Sequence, residues 1–173
     1  MNTLKMSKQW CDEFFDLYCS AHQNAIDLLE EAEILFDAGK YSRAYALAFT
    51  ALEEISKSQL AADVYTGLIT YEEFQEHYRD HRKKIGRMAW ATEDAKRYLD
   101  APEGDYVPVE KPTFANRNDA MYVNIKGQVV VSPSDVISSD AARGIIHTGK
   151  VAIQCIWEVG EMGHQIGTKG FMK

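Results

Sequence analysis

Tyr41-Ser-Arg-Ala-Tyr-Ala-Leu-Ala-Phe-Thr-Ala-Leu-Glu-Glu-Ile-Ser-Lys-Ser-Gln-Leu-Ala-Ala-Asp-Val-Tyr65 is the stretch that decides the fold. Between Ala44 and Leu52 it carries no charge on any side. A helix that is apolar all round is packed against neighbours on several faces. The stretch therefore reads as the central helix of an all-α bundle, with Gly67 just beyond its end.

Working upstream, apolar residues recur at helical spacing from Ser7 to about Ala38: Trp10, Phe14, Leu17, Ala21, Ala25, Leu28, Ala32 and Leu35. Gly39 ends that helix as a C-cap residue. Working downstream, Thr70 and Glu73 form a capping box that opens a third helix. Its pattern runs through Arg79 and His81 to about Leu99, with a bend near Gly86. Asp100 to Asp119 holds three of the four prolines and reads as a loop. Tyr122–Ile125 and Gln128–Val131 are short β-prone runs joined by Lys126-Gly127, a hairpin signal. Pro133 closes this insert. A last helix starts near Ser134 or Ser139 and runs to Met162, burying Ile145, Ile146, Ala152, Ile156 and Val159. The expectation is a single domain over residues 1–173, with four to five helices and a loop-and-hairpin insert at about 100–133.

Composition limits the function. The 46% hydrophobic and 26% charged content is ordinary for a globular chain. A net charge of −7 argues against binding nucleic acid over the whole surface, since phosphate needs a basic face. A local basic groove stays open. The N-terminal residues lack the apolar core of a secretory signal, and no stretch approaches the roughly eighteen apolar residues of a membrane span. Cys11, Cys19 and Cys155 are odd in number and lack metal-ligand spacing. They read as free, buried thiols in a reducing cytoplasm. No motif calls for a metal or cofactor.

One constellation could carry chemistry. At about 100° per residue, Arg43, Thr50, Glu54 and Lys57 fall along one stripe of the central helix, while Glu53 aligns with Phe49 and Leu60. Charges on so apolar a helix must pair or reach a cavity, because an unpaired buried charge is costly. The bland alternative is a set of ion pairs one turn apart. In the third helix His81 shares a seam with Phe74, Tyr78, Ile85 and Met88, flanked by Lys84. A lone histidine there is more often a core residue than a catalyst. This one, however, sits within Arg79, Arg82, Lys83, Lys84 and Arg87, the most basic segment of the chain. If the two helices are neighbours, Glu53, Glu54, Lys57, His81 and Lys84 form a candidate catalytic set, with His81 touching Glu54. A carboxylate can then orient an imidazole while a cation stabilises a developing anion. Arg43, Arg79, Arg82, Lys83 and Arg87 are the candidates for gripping RNA. Taken alone, the basic run reads as a solvated helix face. His147 follows Arg143 by one turn, which suits a surface pair.

Three blocks in this order resemble the AbiV family of bacterial abortive-infection proteins. They are Ala25 to Lys57 ending in Glu-Glu-Ile-Ser-Lys, Phe74 to Ile85 ending in Asp-His-Arg-Lys-Lys-Ile, and Arg117-Asn-Asp-Ala-Met-Tyr-Val-Asn124 ahead of the hairpin and Pro133. The resemblance implies a HEPN-like helical bundle and a toxin-like role in phage defence, in which the infected cell's own metabolism or translation is shut down. Many HEPN proteins are metal-independent ribonucleases that act as dimers, marked by an Arg followed, after four to six residues, by a His. None of the five histidines here has such an Arg; Arg143 to His147 is one residue short. Any ribonuclease activity would rest on the Glu53, Glu54, Lys57, His81 and Lys84 set instead. The expected partners are a second copy, RNA, and a phage-protein activator or an antitoxin. The dimer is expected on the premise that Ala44–Leu52 and the long first helix carry more apolar surface than one chain hides. The rival reading is a non-catalytic interaction protein that binds a phage or host protein. A tetratricopeptide pair is disfavoured, because only one unit is visible.

Overall fold

A computed structural model describes residues 8–80, 114–163, 165–167 and 170–171. In chain order the elements are α1 (Lys8–Asp37), α2 (Tyr41–Tyr65), α3 (Tyr71–Arg79), α4 (Phe114–Met121), β1 (Asn124–Lys126), β2 (Val129–Val131), α5 (Pro133–Val136), α6 (Ser139–Gly163), β3 (Gln165–Ile166) and β4 (Gly170–Phe171). This is the expected all-α bundle with its hairpin, and the three long helices α1, α2 and α6 pack on one another.

Local chemistry sets the helix ends. At the end of α1 the Lys40 N–H donates to the Leu35 carbonyl and the Gly39 N–H to that of Phe36. Gly39 itself sits at φ 71°, a conformation that glycine adopts without the Cβ penalty. The same double closure ends α2, with Leu68 donating to Asp63, Gly67 to Val64, and Gly67 at φ 78°. The capping box of α3 forms as read: Glu73 N–H donates to Thr70 Oγ1 and Thr70 N–H to the Glu73 carboxylate.

The core follows from α2. Ala44, Ala48, Phe49, Ala51, Leu52 and Ile55 are all buried to within 2% of complete, beside Ala25, Leu29 and Ala32 of α1 and Ala142, Ile145 and Ala152 of α6. Small residues on α2 let its neighbours approach closely on every side. Gly149 does the same for α6, where a Cβ would stand 2.7 Å from Leu29 Cδ2. A smaller cluster of Phe14, Leu60, Ala61, Val64 and Phe74 ties α3 to the far end of α2. The premise that Ala44–Leu52 offers spare surface for dimerisation is therefore wrong. Apart from partly buried Leu47 and Thr50, that section is consumed inside one chain.

Four other expectations change. α3 stops at Arg79, and Asp80 is extended at φ −100° and ψ 105°, so the expected helix is broken there and the rest of its span lies outside the described residues. Asp is a poor helix residue, and continuation would set Arg79 one turn from Arg82 and Lys83, like charges on one face. The proline-containing loop yields a helix at its end, α4, whose Ala120 is fully buried. Pro133 opens the short helix α5 ahead of α6, with Ser132 N–H held by the Asp135 carboxylate. Cys19 is exposed rather than buried. A second hairpin, β3–β4, was not anticipated. It brings Gly167, at φ 72°, so near α2 that a Cβ would lie 2.5 Å from Asp63 Oδ1.

Candidate functional site

The end of α2 sends its two adjacent carboxylates in different directions, as a turn of about 100° per residue requires. Glu53, only 8% exposed, faces Arg117 of α4, with Nε 3.9 Å from its Oε2. Glu54 pairs with Lys57 one turn on, both side chains less than one-fifth exposed. Lys57 Nζ also lies 6.0 Å from the centre of the Tyr78 ring of α3, within cation–π range. Tyr78 in turn stacks on Phe74 at 5.2 Å, so the hydrophobic anchor of α3 fixes the ring beneath the cation. Arg117 is 27% and Lys57 19% exposed at the side chain.

The short helix α4 is held to α2 by polar contacts along its length. The Tyr45 hydroxyl is hydrogen-bonded to the Asn116 side chain. Burial raises the Tyr45 pKa, opposed by that hydrogen bond, and the phenol stays protonated at neutral pH. Arg43 Nη1 donates to the Met121 carbonyl at 3.4 Å. Arg43 is thus occupied in closing the end of α4, apart from the Glu54–Lys57 pair with which it was grouped. Thr50 donates to its own helix at the Ala46 carbonyl. Ser56, 2% exposed, has a hydroxyl with no hydrogen-bond partner among the described residues.

Of the ten candidate residues, the structure places Glu53 against Arg117 and pairs Glu54 with Lys57, two ion pairs that leave α2 in different directions. Arg79 ends α3 as an exposed residue. His81, Arg82, Lys83, Lys84 and Arg87 lie outside the described residues, and with them the expected contact of His81 with Glu54. Arg117, Asn116 and Tyr45 were missed as site residues. The signal was there, since the Arg117–Asn124 block was one of the three carrying the family resemblance, but nothing local tied Arg117 to Glu53. Arg143, paired with His147 on paper, instead covers the Phe36 ring at 5.3 Å. Among the described residues no group of three or more His, Cys, Asp or Glu side chains is placed to hold a metal ion. No helix among them is long and apolar enough to cross a membrane.

Chemically, each pair sets a carboxylate shielded from water beside a partly exposed cation, an arrangement that can orient a proton-carrying group.

The all-α bundle with its small antiparallel hairpin is consistent with a HEPN-like fold. The family model described as AbiV, of the HEPN class, matches residues 13–154. The chain belongs to the AbiV family of HEPN proteins, which carries an abortive-infection type of function. No curated protein and no solved structure matches it.

Proposed function

We propose that this chain is an anti-phage abortive-infection effector that acts on RNA through the charged end of α2. The observation that supports this reading is the two partly exposed cations at this end of α2, Arg117 beside the shielded Glu53 and Lys57 beside the shielded Glu54, which give an acidic chain local positive charge. In this reading Arg117 and Lys57 take the phosphate, Glu54 orients the proton-transferring group, and His81 with Lys84 completes the set. Arg79, Arg82, Lys83 and Arg87 extend the grip along the strand. The test combines phage protection in cells with incubation of the purified protein and total RNA. Lys57→Ala, Arg117→Ala and His81→Ala should each lower RNA cleavage, and the charge-preserving Lys57→Arg should restore part of it. RNA affinity should fall with salt at a slope of about −0.7 per phosphate contact for single strands.

A second reading has its own observation. Within the cluster Glu53 faces Arg117 and Glu54 pairs with Lys57, as a non-catalytic protein-binding surface would also require. If RNA stays intact and unbound while phage protection persists, that reading replaces the first.

A further inference from the structure

Ser56 differs from four other hydroxyls on the helices. Thr50, Ser58, Thr66 and Thr148 each donate to a carbonyl about one turn back in their own helix, at 2.8–3.0 Å. That back-bond is the usual outlet for a serine or threonine inside a helix. Ser56 does not make it. The residue is 2% exposed, and its buried Oγ has no hydrogen-bond partner among the described residues. Such a hydroxyl is costly to keep. Its place on α2 is telling. At about 100° per residue, Ser56 falls about 60° to one side of Glu53 and Lys57 about 40° to the other. Ser56 thus lies on the buried flank of Glu53 and Lys57, 19% exposed, on the open one. Arg117 meets the same carboxylate, its Nε 3.9 Å from Oε2 and its side chain 27% exposed. The approach from solvent runs past Arg117 and Lys57 to Glu53, with Ser56 at its inner end.

We propose that the Ser56 hydroxyl is held for a ligand: with Glu53 it receives a ribose 2′-hydroxyl, and so lets the site tell RNA from DNA. The inference rests on the RNA reading of this end of α2. Chemistry selects the group. An ionised carboxylate only accepts hydrogen bonds and a guanidinium only donates them, so a group entering beside Glu53 and Arg117 has to do both. A phosphate oxygen cannot donate, and the shielded Glu53 repels it. An ammonium cannot accept. A hydroxyl does both, and the serine hydroxyl takes whichever role the ligand leaves open. The 2′-hydroxyl is the group by which a protein separates RNA from DNA at a given position. Arg117 and Lys57 then keep the phosphate at the rim, while Glu53 and Ser56 read the sugar further in.

The test measures binding of the full chain to a single-stranded RNA and to the DNA of the same sequence at low salt, together with melting temperatures. Wild type should hold the RNA about two- to tenfold tighter, the worth of one hydrogen bond. Ser56→Ala should lose that margin by weakening RNA alone. It should also melt at or above wild type, because it removes a buried hydroxyl that nothing satisfies. Ser58→Ala is the control. Alanine favours helix equally at both positions, but here the bond to the Ile55 carbonyl is lost. That variant should melt below Ser56→Ala and keep the RNA margin. If Ser56→Ala melts several degrees below wild type, the hydroxyl is structural and the proposal is overturned. An unchanged RNA margin in Ser56→Ala overturns it as well, as does a wild type that binds RNA and DNA alike; both leave the RNA reading standing. A wild type that binds neither overturns the RNA reading, and this inference with it.

Discussion

Ile55 and Ile125 are the same residue in opposite circumstances. Ile55 is fully buried on α2, directly after Glu53 and Glu54 in the chain, whereas Ile125 stands 67% exposed on the hairpin. Along α2 the ordinary segregation is relaxed inward: Glu53, Ser56, Ser58, Gln59 and Asp63 are all buried with the alanines. Along the hairpin it is relaxed outward, with valines and isoleucine in solvent. An exposed leucine or valine by itself needs no explanation, but a buried carboxylate and a contiguous exposed apolar face both do. The first lesson is that the carboxylates of α2 are held by partners, Arg117 of α4 for Glu53 and Lys57 for Glu54, while Ser58 donates to the Ile55 carbonyl. The second is that the hairpin leaves Val123, Ile125 and Val130 exposed, at 65–67%.

The contrast is broken most directly by the two isoleucines themselves. Ile55→Ala should cost about 2–5 kcal/mol, the range for a fully buried aliphatic side chain whose cavity cannot collapse. Ile125→Ala should stay within about 0.5 kcal/mol in dilute solution. Chemical denaturation of both variants checks this. A cost at Ile125 that grows with protein concentration would sharpen the contrast, because it reports a partner covering that face.

Next come the two carboxylates. Arg117→Ala leaves the shielded Glu53 without its cation and should cost about 1–3 kcal/mol. Lys57→Ala removes a one-turn helix pair and should cost about 0.5 kcal/mol. Equal costs in urea melts would erase the distinction between a carboxylate bridging two helices and one paired within its own.

The smallest effect concerns His22 of α1, stacked on Tyr18 at 6.2 Å, with an Nδ1 that is buried and has no partner among the described residues. Burial lowers its pKa below the ordinary 6.5. The unfolded chain then takes up a proton at a pH where the folded one resists it. Stability should therefore fall as pH drops from about 6.5 toward the folded value, and be level above it. His22→Gln should flatten that slope. Melting temperatures of both proteins between pH 5 and 8 measure it, and an unchanged slope would mean that His22 is well hydrated.

Gly39, Gly67 and the Thr70–Glu73 box were legible in the sequence because a helix end is a matter of a few neighbouring residues. The central place of α2 was legible too, since a run with no charge on any side has nowhere to face water. The different directions of Glu53 and Glu54, about 100° apart, follow from helical period alone. Other features depended on what packs against what. α4 reads as Phe-Ala-Asn-Arg-Asn-Asp-Ala-Met, a short stretch whose two Asn and one Asp favour turns over helix, and it is held in the fold by Ala120, Asn116 and Arg117 against α2. No local pattern could pair Arg117 with Glu53 across so many residues. Alternation in 122–131 announced a hairpin, but either face could have lain against the helices. In the structure both faces are largely exposed, and the Lys126–Asp119 pair ties the hairpin to α4. Short-range chemistry settles where elements begin and end; which side of an element is covered depends on residues distant in the chain.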